Sequence, residues 1–482
     1  MLRTLILLIL LQFIACSPIK KYQSLPEVQA WESEIREFEQ LDKTETYSDD
    51  AIIFAGSSSI RLWTTLEKDM APYPVIQRGY GGARLSDYAV YADRIFDPHP
   101  CKAIVIFIAN DITGSDNDKN PEEIGRLFRF MLSTIRKKHP DVPVFWIAIT
   151  PTGSRWAVWP RIKEANMAMK KICSEEKNTY FITTDYAFLN EKGLPDDELF
   201  VSDKLHLSKK GYAVWSEIIK KEINKIVPYP KVEIIAHRGA SFLAPENTVA
   251  AAGLAWELGA DAVEVDIHLS HDNKIIVSHD ANTKRTTGKD HLIKDTGSEI
   301  LRKLDAGSFK DVKYLGEKIP FLEEVINTIP EGKELVIEIK CRQEVLPYLK
   351  ETINQYGKEK RFVFISFDLP TITETKKMFP KNSCYWLCSD RNLLNKNINL
   401  VKSAGLEGLS LNYSIIDKQV ATSVKTLGLE LFSWTVDDPE EAKRLIAIGV
   451  KGITTNKPGW LNEQIFRAIS GLPPHDPPRN SR

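Results

Sequence analysis

Charged residues are spaced two positions apart at two places in the second half of the chain. Glu264 and Asp266 are separated by one residue, so on a β-strand both side chains point to the same face. Two such acids repel each other unless a cation lies between them, and a hard divalent cation prefers oxygen ligands. A second segment of this kind supplies Glu338, with Lys340 two residues later. The spacing therefore predicts a divalent metal site.

Two histidines accompany these acids. His237 ends an apolar segment and is followed by Arg238, which gives a candidate proton carrier and a candidate phosphate ligand. The segment after Asp266 is too short for a helix and predicts a hairpin. With its two-residue turn at 272–273, His279 would lie opposite Asp266. The pattern predicts acid–base chemistry beside the metal.

A separate set of reactive residues lies in the first half of the chain. Three consecutive serines at 57–59 follow an apolar segment, and Gly82 and Asn110 follow two others. A glycine N–H and an asparagine amide are donors that can stabilise a developing oxyanion. Asp203 and His206 supply the carboxylate and the base that a serine nucleophile needs. These residues predict a serine hydrolase.

Buried strands must position both sets of residues. Between 24 and 227, continuous apolar segments alternate with amphipathic stretches, as in parallel strands covered by helices. This predicts an α/β domain that is doubly wound, flavodoxin-like and three-layered, with ligands at the carboxyl ends of its strands. The proline-containing segment 228–231 predicts a linker. Eight further strand–helix units between 232 and 470 predict a (β/α)8 TIM barrel.

Length, charge and cysteine usage exclude several classes of protein. The chain has 482 residues, which is too long for one ordinary domain. Lys plus Arg number 64 against 65 for Asp plus Glu, so no basic excess is available for a nucleic-acid backbone. The 6 cysteines include no CxxC pair and predict neither a disulfide framework nor a zinc ribbon. The proline-rich end, 472–482, is predicted to be disordered.

The first residues predict export and lipid attachment. Residues 1–15 combine a basic start with a short apolar segment that ends in a small residue, as in a secretory signal peptide. The segment 13–16 resembles the processing site of bacterial lipoproteins, which implies that Cys16 carries the lipid. We therefore expect a protein anchored to a bacterial membrane in the cell envelope, facing the periplasm or the surface. Ordinary secretion is the alternative.

Some neighbouring polar residues are interpreted as structural. Glu246 and Asn247 are interpreted as a device that starts the following helix. His268 and His271 are expected to be solvated along the hairpin. Asp111 is interpreted as a loop or cap residue.

The first half resembles the SGNH/GDSL hydrolases, whose four motif blocks it matches in order: Gly56-Ser-Ser-Ser59, Gly82, Asn110 and Asp203-x-x-His206. The resemblance implies that Ser58 is the nucleophile. Its backbone N–H would form the oxyanion hole together with Gly82 and Asn110. His206 would be the base, oriented by Asp203.

The second half resembles the glycerophosphodiester phosphodiesterases. The matching motifs include His237-Arg-Gly-Ala, Pro245-Glu-Asn-Thr248, Glu264-Val-Asp266, His279-Asp280 and Glu338-Ile-Lys340. The resemblance implies a barrel that binds Ca²⁺ or Mg²⁺ through three carboxylates, those of Glu264, Asp266 and Glu338. Two histidines would act as acid and base, in an order left open: His237 and His279. Two cations would contact the phosphate: Arg238 and Lys340. Asn456 stands where Asp is common.

Together the two halves predict a bifunctional envelope hydrolase that acts on small phospholipid-derived molecules. A lysophospholipid contains both an acyl ester and a glycerophosphodiester. The serine site would remove the acyl chain, and the barrel would then release glycerol phosphate and an alcohol. Two alternatives stay open: a glycan O-deacetylase joined to a phosphodiesterase for glycerophosphate polymers, and a non-catalytic lipoprotein that binds surface ligands.

Overall fold

The computed structural model describes residues 19–466, and the chain divides into two compact units between Tyr229 and Pro230. The predicted linker, 228–231, spans this division. The predicted signal peptide, Cys16 and the predicted disordered end lie outside the described residues. Among the described helices, none combines the length and the apolar character needed to cross a membrane.

The first unit is built on a parallel sheet. Its strands are β1 (Ile52–Gly56), β2 (Val75–Gly79), β3 (Ala103–Phe107), β4 (Val144–Ile147) and β5 (Thr179–Ile182). They lie in the order β2-β1-β3-β4-β5. Every residue of β1, β3 and β4 is buried, which explains their continuous apolar sequences. The predicted doubly wound α/β fold is confirmed, and its order reverses beside β1, where ligands bind in such sheets.

Helices connect and flank these strands. The α-helices are Lys20–Gln23, Pro26–Gln29, Glu32–Thr44, Ser58–Arg61, Leu66–Met70, Leu85–Phe96, Pro121–Lys138, Trp159–Glu175 and Lys209–Asn224. Short 3₁₀ turns are Trp156–Val158, Asp185–Phe188 and Asp197–Leu199. Lys209–Asn224 begins after Ser208, whose hydroxyl accepts a hydrogen bond from the N–H of Gly211.

The second unit is a closed barrel. Its strands are β6 (Glu233–Ala236), β7 (Ala262–Leu269), β8 (Ile275–Val277), β9 (Glu334–Ile339), β10 (Arg361–Ser366), β11 (Ser383–Cys388), β12 (Gly408–Asn412), β13 (Glu430–Trp434) and β14 (Gly452–Thr455). All except β8 are parallel to their neighbours, and β6 pairs with both β14 and β7, which closes the ring. The predicted TIM barrel is confirmed.

Helices follow the barrel strands. The α-helices are Val249–Glu257, Lys284–Thr287, Ser298–Leu301, Leu322–Ile326, Leu346–Tyr356, Leu369–Met378, Arg391–Ser403, Lys418–Thr426, Pro439–Ala447 and Pro458–Phe466. Short 3₁₀ turns are Ile293–Asp295, Val312–Tyr314, Gln343–Val345 and Tyr413–Ile415. Alternate strand residues face opposite sides, so Ile234 packs in the strand–helix layer and Ile235 in the barrel interior.

The β7–β8 hairpin corrects the predicted register. Ile267 pairs with Val277, and the N–H of Ser278 donates to the carbonyl of Asp266. Ser278, not His279, therefore lies opposite Asp266, so the prediction was wrong by one residue. The loop has three residues, 271–273, and Asn273 ends it with a φ of 62°. A left-handed residue after a tight turn adds one position to a hairpin loop.

Candidate active sites

Ser58 lies where β1 meets the helix Ser58–Arg61. Gly56, the last residue of β1, is paired with Phe107 of the neighbouring strand β3. A Cβ at position 56 would lie 2.0 Å from the carbonyl oxygen of Phe107. Only glycine allows this approach, so the turn that presents Ser58 depends on it.

His206 connects Ser58 to a carboxylate. Its Nε2 lies 2.9 Å from the Ser58 hydroxyl, and its Nδ1 lies 2.6 Å from Asp203 Oδ2. The other oxygen of Asp203 accepts the backbone N–H groups of Leu205 and His206. Burial opposes ionisation of Asp203, but these hydrogen bonds prevail and lower its pKa to about 2. An ionised Asp203 keeps the proton on Nδ1 and leaves Nε2 free to accept the serine proton.

Asn110 and Gly82, the predicted oxyanion donors, differ in their placement. Asn110 lines the same cleft as Ser58 and His206, and its Nδ2 donates to the carbonyl of Ala83 at 3.1 Å. Gly82 is not among the described residues that line this cleft. The structure therefore brings Asn110 to the nucleophile, whereas the role of Gly82 stays a prediction.

Arg155 is a cleft residue that the sequence did not reveal. It donates from Nη1 to the carbonyl of Ala109 at 2.6 Å and from Nη2 to Asn110 Oδ1 at 2.8 Å. Arg155 is 45 residues from Asn110 in the chain, so no local motif joins them. Trp156 and Trp159 stack on each other at 6.1 Å and do not line the cleft.

Asp111 has the structural role that its loop position suggested. It accepts the N–H of Leu85 at 2.9 Å and pairs with Lys119 at 2.8 Å.

The barrel places three carboxylates together. Glu264 and Asp266 share the inward face of β7 with Ala262, and Asp266 is in register with Glu338 on β9. One oxygen from each acid lies within 4.8 Å of the others. Glu264 Oε1 and Asp266 Oδ1 are buried without a hydrogen-bond partner among residues 19–466. This set of oxygen donors fits a divalent cation.

The negative charge of the three carboxylates is not fully balanced by nearby cationic side chains, and a bound cation would balance it. Burial and the charges of Asp266 and Glu338 raise the pKa of Glu264 well above its ordinary value. Burial and Asp266 raise the pKa of Glu338 to about 7. Burial also opposes ionisation of Asp266, but Arg238 and Lys340 lower its pKa overall. Only part of the acidic charge is therefore matched by the protein's own cations.

Both predicted phosphate ligands reach this cluster. Lys340 Nζ lies 2.9 Å from Glu338 Oε1 and 3.7 Å from Asp266 Oδ1. Arg238 Nε lies 3.4 Å from Asp266 Oδ2, and its Nη1 donates to Glu246 at 2.8 Å. The two cations can therefore meet an anionic group that binds at the acids.

His237 is held through its Nδ1. This nitrogen lies 2.8 Å from Asn456 Oδ1, and Asn456 Nδ2 donates to Asp437 Oδ2 at 2.8 Å. Because Asp437 fixes the amide, its oxygen faces His237, and the hydrogen of the neutral imidazole lies on Nδ1. Burial and the charge of Arg238 lower the pKa of His237 to about 4. Nε2 is thus an unprotonated acceptor at neutral pH.

His279 is held by a chain of ion pairs. Its Nδ1 lies 2.7 Å from Asp280 Oδ1, and Arg285 Nε donates to Asp280 Oδ2 at 2.7 Å. The guanidinium of Arg285 also binds Glu246. A hydrogen bond from Arg285 is the largest influence that lowers the pKa of Asp280 to about 2. His279 therefore faces a fixed carboxylate, which orients its ring.

Three interpretations of neighbouring residues were wrong. The side chain of Asn247 binds both the carboxylate and the backbone N–H of Asp266, and Glu246 pairs with arginines, so neither residue caps the helix. Thr248 alone does so, by accepting the N–H of Ala251. His268 is buried, and its Nε2 lies 3.2 Å from the carbonyl oxygen of His279. His271 is exposed, as expected.

Comparison with known proteins gives one match for each unit. Residues 237–460 match the Glycerophosphoryl diester phosphodiesterase family, and residues 44–214 match the GDSL-like Lipase/Acylhydrolase family. Both resemblances are thus confirmed.

Individual relatives cover about half of this chain. A glycerophosphodiester phosphodiesterase of Caldanaerobacter subterraneus subsp. tengcongensis is 37% identical over 249 residues, which cover 48% of this chain and 96% of that protein. A lysophospholipase D of Rattus norvegicus is 26% identical over 272 residues, or 48% of this chain and 84% of that protein. A solved Oleispira antarctica phosphodiesterase with the product sn-glycerol-3-phosphate is 30% identical, with a TM-score of 0.46, and covers 48% of this chain and 96% of that chain.

Proposed function

The chain belongs to the glycerophosphodiester phosphodiesterase family through its second half, and on this premise we propose that it is a bifunctional hydrolase of phospholipid-derived esters. The barrel would hydrolyse glycerophosphodiesters to glycerol phosphate and an alcohol. The serine site would remove acyl groups. The observation that carries the proposal is the presence in one chain of a Ser58–His206 contact of 2.9 Å and of three buried acids that converge.

In the barrel, Glu264, Asp266 and Glu338 would hold Ca²⁺ or Mg²⁺. When bound, such an ion withdraws negative charge from phosphoryl oxygens. Arg238 and Lys340 would orient the phosphate by charge-assisted hydrogen bonds.

The two barrel histidines would divide the proton transfers. His237 Nε2 would accept a proton from the attacking water, because Asn456 keeps the ring hydrogen on Nδ1. His279, supported by Asp280, would donate a proton to the leaving alcohol oxygen.

Metal dependence tests the barrel proposal. The full chain is incubated with glycerophosphoglycerol, and glycerol phosphate is measured before and after treatment with EDTA. We expect chelation to stop release and added Ca²⁺ or Mg²⁺ to restore it. Full activity in EDTA, with no metal detected by elemental analysis, would contradict the proposal.

In the serine site, His206 would accept the proton of Ser58 as the serine attacks the ester carbonyl, and would give it to the leaving alcohol. His206 would then deprotonate a water, which would release the acyl group from Ser58 as the free acid. Asn110 and the N–H of Ser58 would stabilise the oxyanion. Lysophospholipids contain both bonds that the two sites would cleave. The name of the rat relative, lysophospholipase D, supports phospholipid-derived phosphodiesters as the substrate class of the barrel.

The envelope location is a further part of the proposal. The apolar segment before Cys16 supports lipid attachment at that residue. The test is fractionation of cells that express the wild-type chain or Cys16→Ser. The variant should leave the membrane fraction, and unchanged retention with an unchanged mass of the N-terminal peptide would contradict lipidation.

A further inference from the structure

We infer that Arg155 forms an anion subsite in the cleft of Ser58, so that the serine site selects esters whose alcohol part carries a phosphate. This inference rests on the proposed esterase function and specifies its substrate class. Both the sequence motifs and the family match leave Arg155 without a role.

The contacts of Arg155 leave part of its guanidinium available. Its two hydrogen bonds go to the carbonyl of Ala109 and to Asn110 Oδ1, which are both uncharged. A guanidinium has five N–H donors, so others stay open to a ligand. Because Asn110 Oδ1 accepts a hydrogen bond from Arg155, the N–H groups of the Asn110 amide point away from Arg155. The positive charge of Arg155 is therefore one hydrogen bond away from Asn110, the predicted oxyanion donor.

No carboxylate neutralises this charge at close range. Among residues 19–466, Arg155 has no ion-pair partner, and burial lowers its pKa. Asp118 is the acid whose charge acts on it, but that carboxylate pairs with Arg161 at 3.3 Å. Asp118 also accepts the N–H groups of Thr113 and Gly114. A partly buried cation without a carboxylate partner, in a cleft beside a nucleophile, favours an anionic ligand.

The cleft has chemically different linings. One set of residues is apolar: Phe107, Ile149, Phe200, Leu205, Leu207 and Trp215. Hydroxyls line it as well, including those of Thr150 and Thr152, and no acidic residue is among the described residues that line it. Apolar surface suits an acyl chain, while Arg155 and the hydroxyls suit a phosphate-bearing alcohol. The barrel acts on the same chemical class, since its substrates are anionic phosphodiesters.

Two esters with the same acyl chain, of which one carries a phosphodiester, test the inference. The neutral substrate is 1-butyrylglycerol, and the anionic one is 1-butyryl-glycerophosphoglycerol; the short chain keeps both in solution. Release of butyrate gives kcat/KM for the wild-type chain and for Arg155→Gln and Arg155→Lys. Arg126→Met is the matched control, because Arg126 is 57% exposed, pairs with Glu122 and does not line the cleft.

We expect the wild-type chain to prefer the anionic ester. Arg155→Gln should reduce that preference by about tenfold or more, the effect of losing a charged hydrogen bond. Arg155→Lys should retain part of it, and Arg126→Met should keep it. Equal losses on both esters in Arg155→Gln would show that Arg155 acts only through Asn110 and would overturn the inference, as would a wild-type preference for the neutral ester. If the wild-type chain cleaved neither ester, the esterase proposal itself would fail.

Discussion

Asn247 and Asp266 hold each other by two hydrogen bonds. Asn247 Nδ2 donates to Asp266 Oδ2 at 2.8 Å, and Asn247 Oδ1 accepts the backbone N–H of Asp266 at 3.1 Å. Asn247 has a φ of 58°, a conformation that asparagine tolerates better than most residues. One carboxylate oxygen of Asp266 is thus fixed, while its Oδ1 has no hydrogen-bond partner among the described residues.

Asn247→Ala should weaken metal binding by about 10- to 100-fold, because partners that orient a ligand contribute on this scale. Phosphodiesterase activity should fall at low metal concentration and recover at high concentration. Titration of the EDTA-treated chain with Ca²⁺ or Mg²⁺ measures the shift. The control is Asn399→Ala, on the exposed side of the helix Arg391–Ser403. An unchanged metal requirement in Asn247→Ala would contradict the positioning role.

Glu264→Ala and His279→Ala should separate metal binding from proton transfer. Glu264→Ala removes a ligand oxygen, so both bound metal and turnover should be lost. His279→Ala should retain the metal and lose glycerophosphodiester turnover by a factor of about 10² or more, because it removes an acid–base group. Elemental analysis and glycerol phosphate release measure the two effects. Loss of metal in His279→Ala would indicate that His279 is a metal ligand and would contradict its assignment to proton transfer.

Strand positions and the main acidic residues could be predicted because their signals are local. Fully buried parallel strands require continuous apolar segments, such as Ala103–Phe107. Side chains along a strand point alternately to its two faces, so Glu264 and Asp266 lie on one face in any tertiary structure that contains this strand. Such rules need no knowledge of distant contacts.

The errors concern residues whose roles depend on tertiary contacts. The hairpin register depended on Asn273 adopting a left-handed conformation, which added one residue to the loop. Asn247 was interpreted from its position before a helix, but a partner 19 residues away decides its role. Arg155 was missed because Asn110 lies 45 residues from it.

Ser58→Ala should abolish butyrate release from 1-butyrylglycerol and leave phosphodiesterase activity unchanged. Loss of a triad nucleophile typically costs several orders of magnitude in rate, whereas the barrel is a separate unit with its own core. Ser57→Ala is the matched control, because Ser57 lines the same cleft without the contact to His206. If Ser58→Ala retained esterase activity and Ser57→Ala lost it, the nucleophile would be Ser57 and the assignment of Ser58 would be wrong.

The metal-free barrel should lose stability as pH rises. The pKa of Glu338 is raised from 4.5 to about 7, so its stabilising contribution is complete below pH 4.5 and is lost as pH rises through 7. The loss between pH 4.5 and 8 should be at most about 3 kcal/mol. Denaturant unfolding of EDTA-treated protein at pH 4.5 and 8 measures it. Glu338→Gln should show a smaller difference; an equal difference in both proteins would contradict the assignment.

The central claim is that the two sites act in sequence on one molecule. The most direct measurement follows fatty acid, glycerophosphodiester and glycerol phosphate released from lysophosphatidylglycerol by the full chain and its variants. The wild-type chain should yield fatty acid and glycerol phosphate, Glu264→Ala should yield fatty acid and accumulate glycerophosphoglycerol, and Ser58→Ala should yield none of these products. Glycerol phosphate or lysophosphatidate formed by Ser58→Ala at the wild-type rate would contradict the claim, because the barrel would then not require prior deacylation.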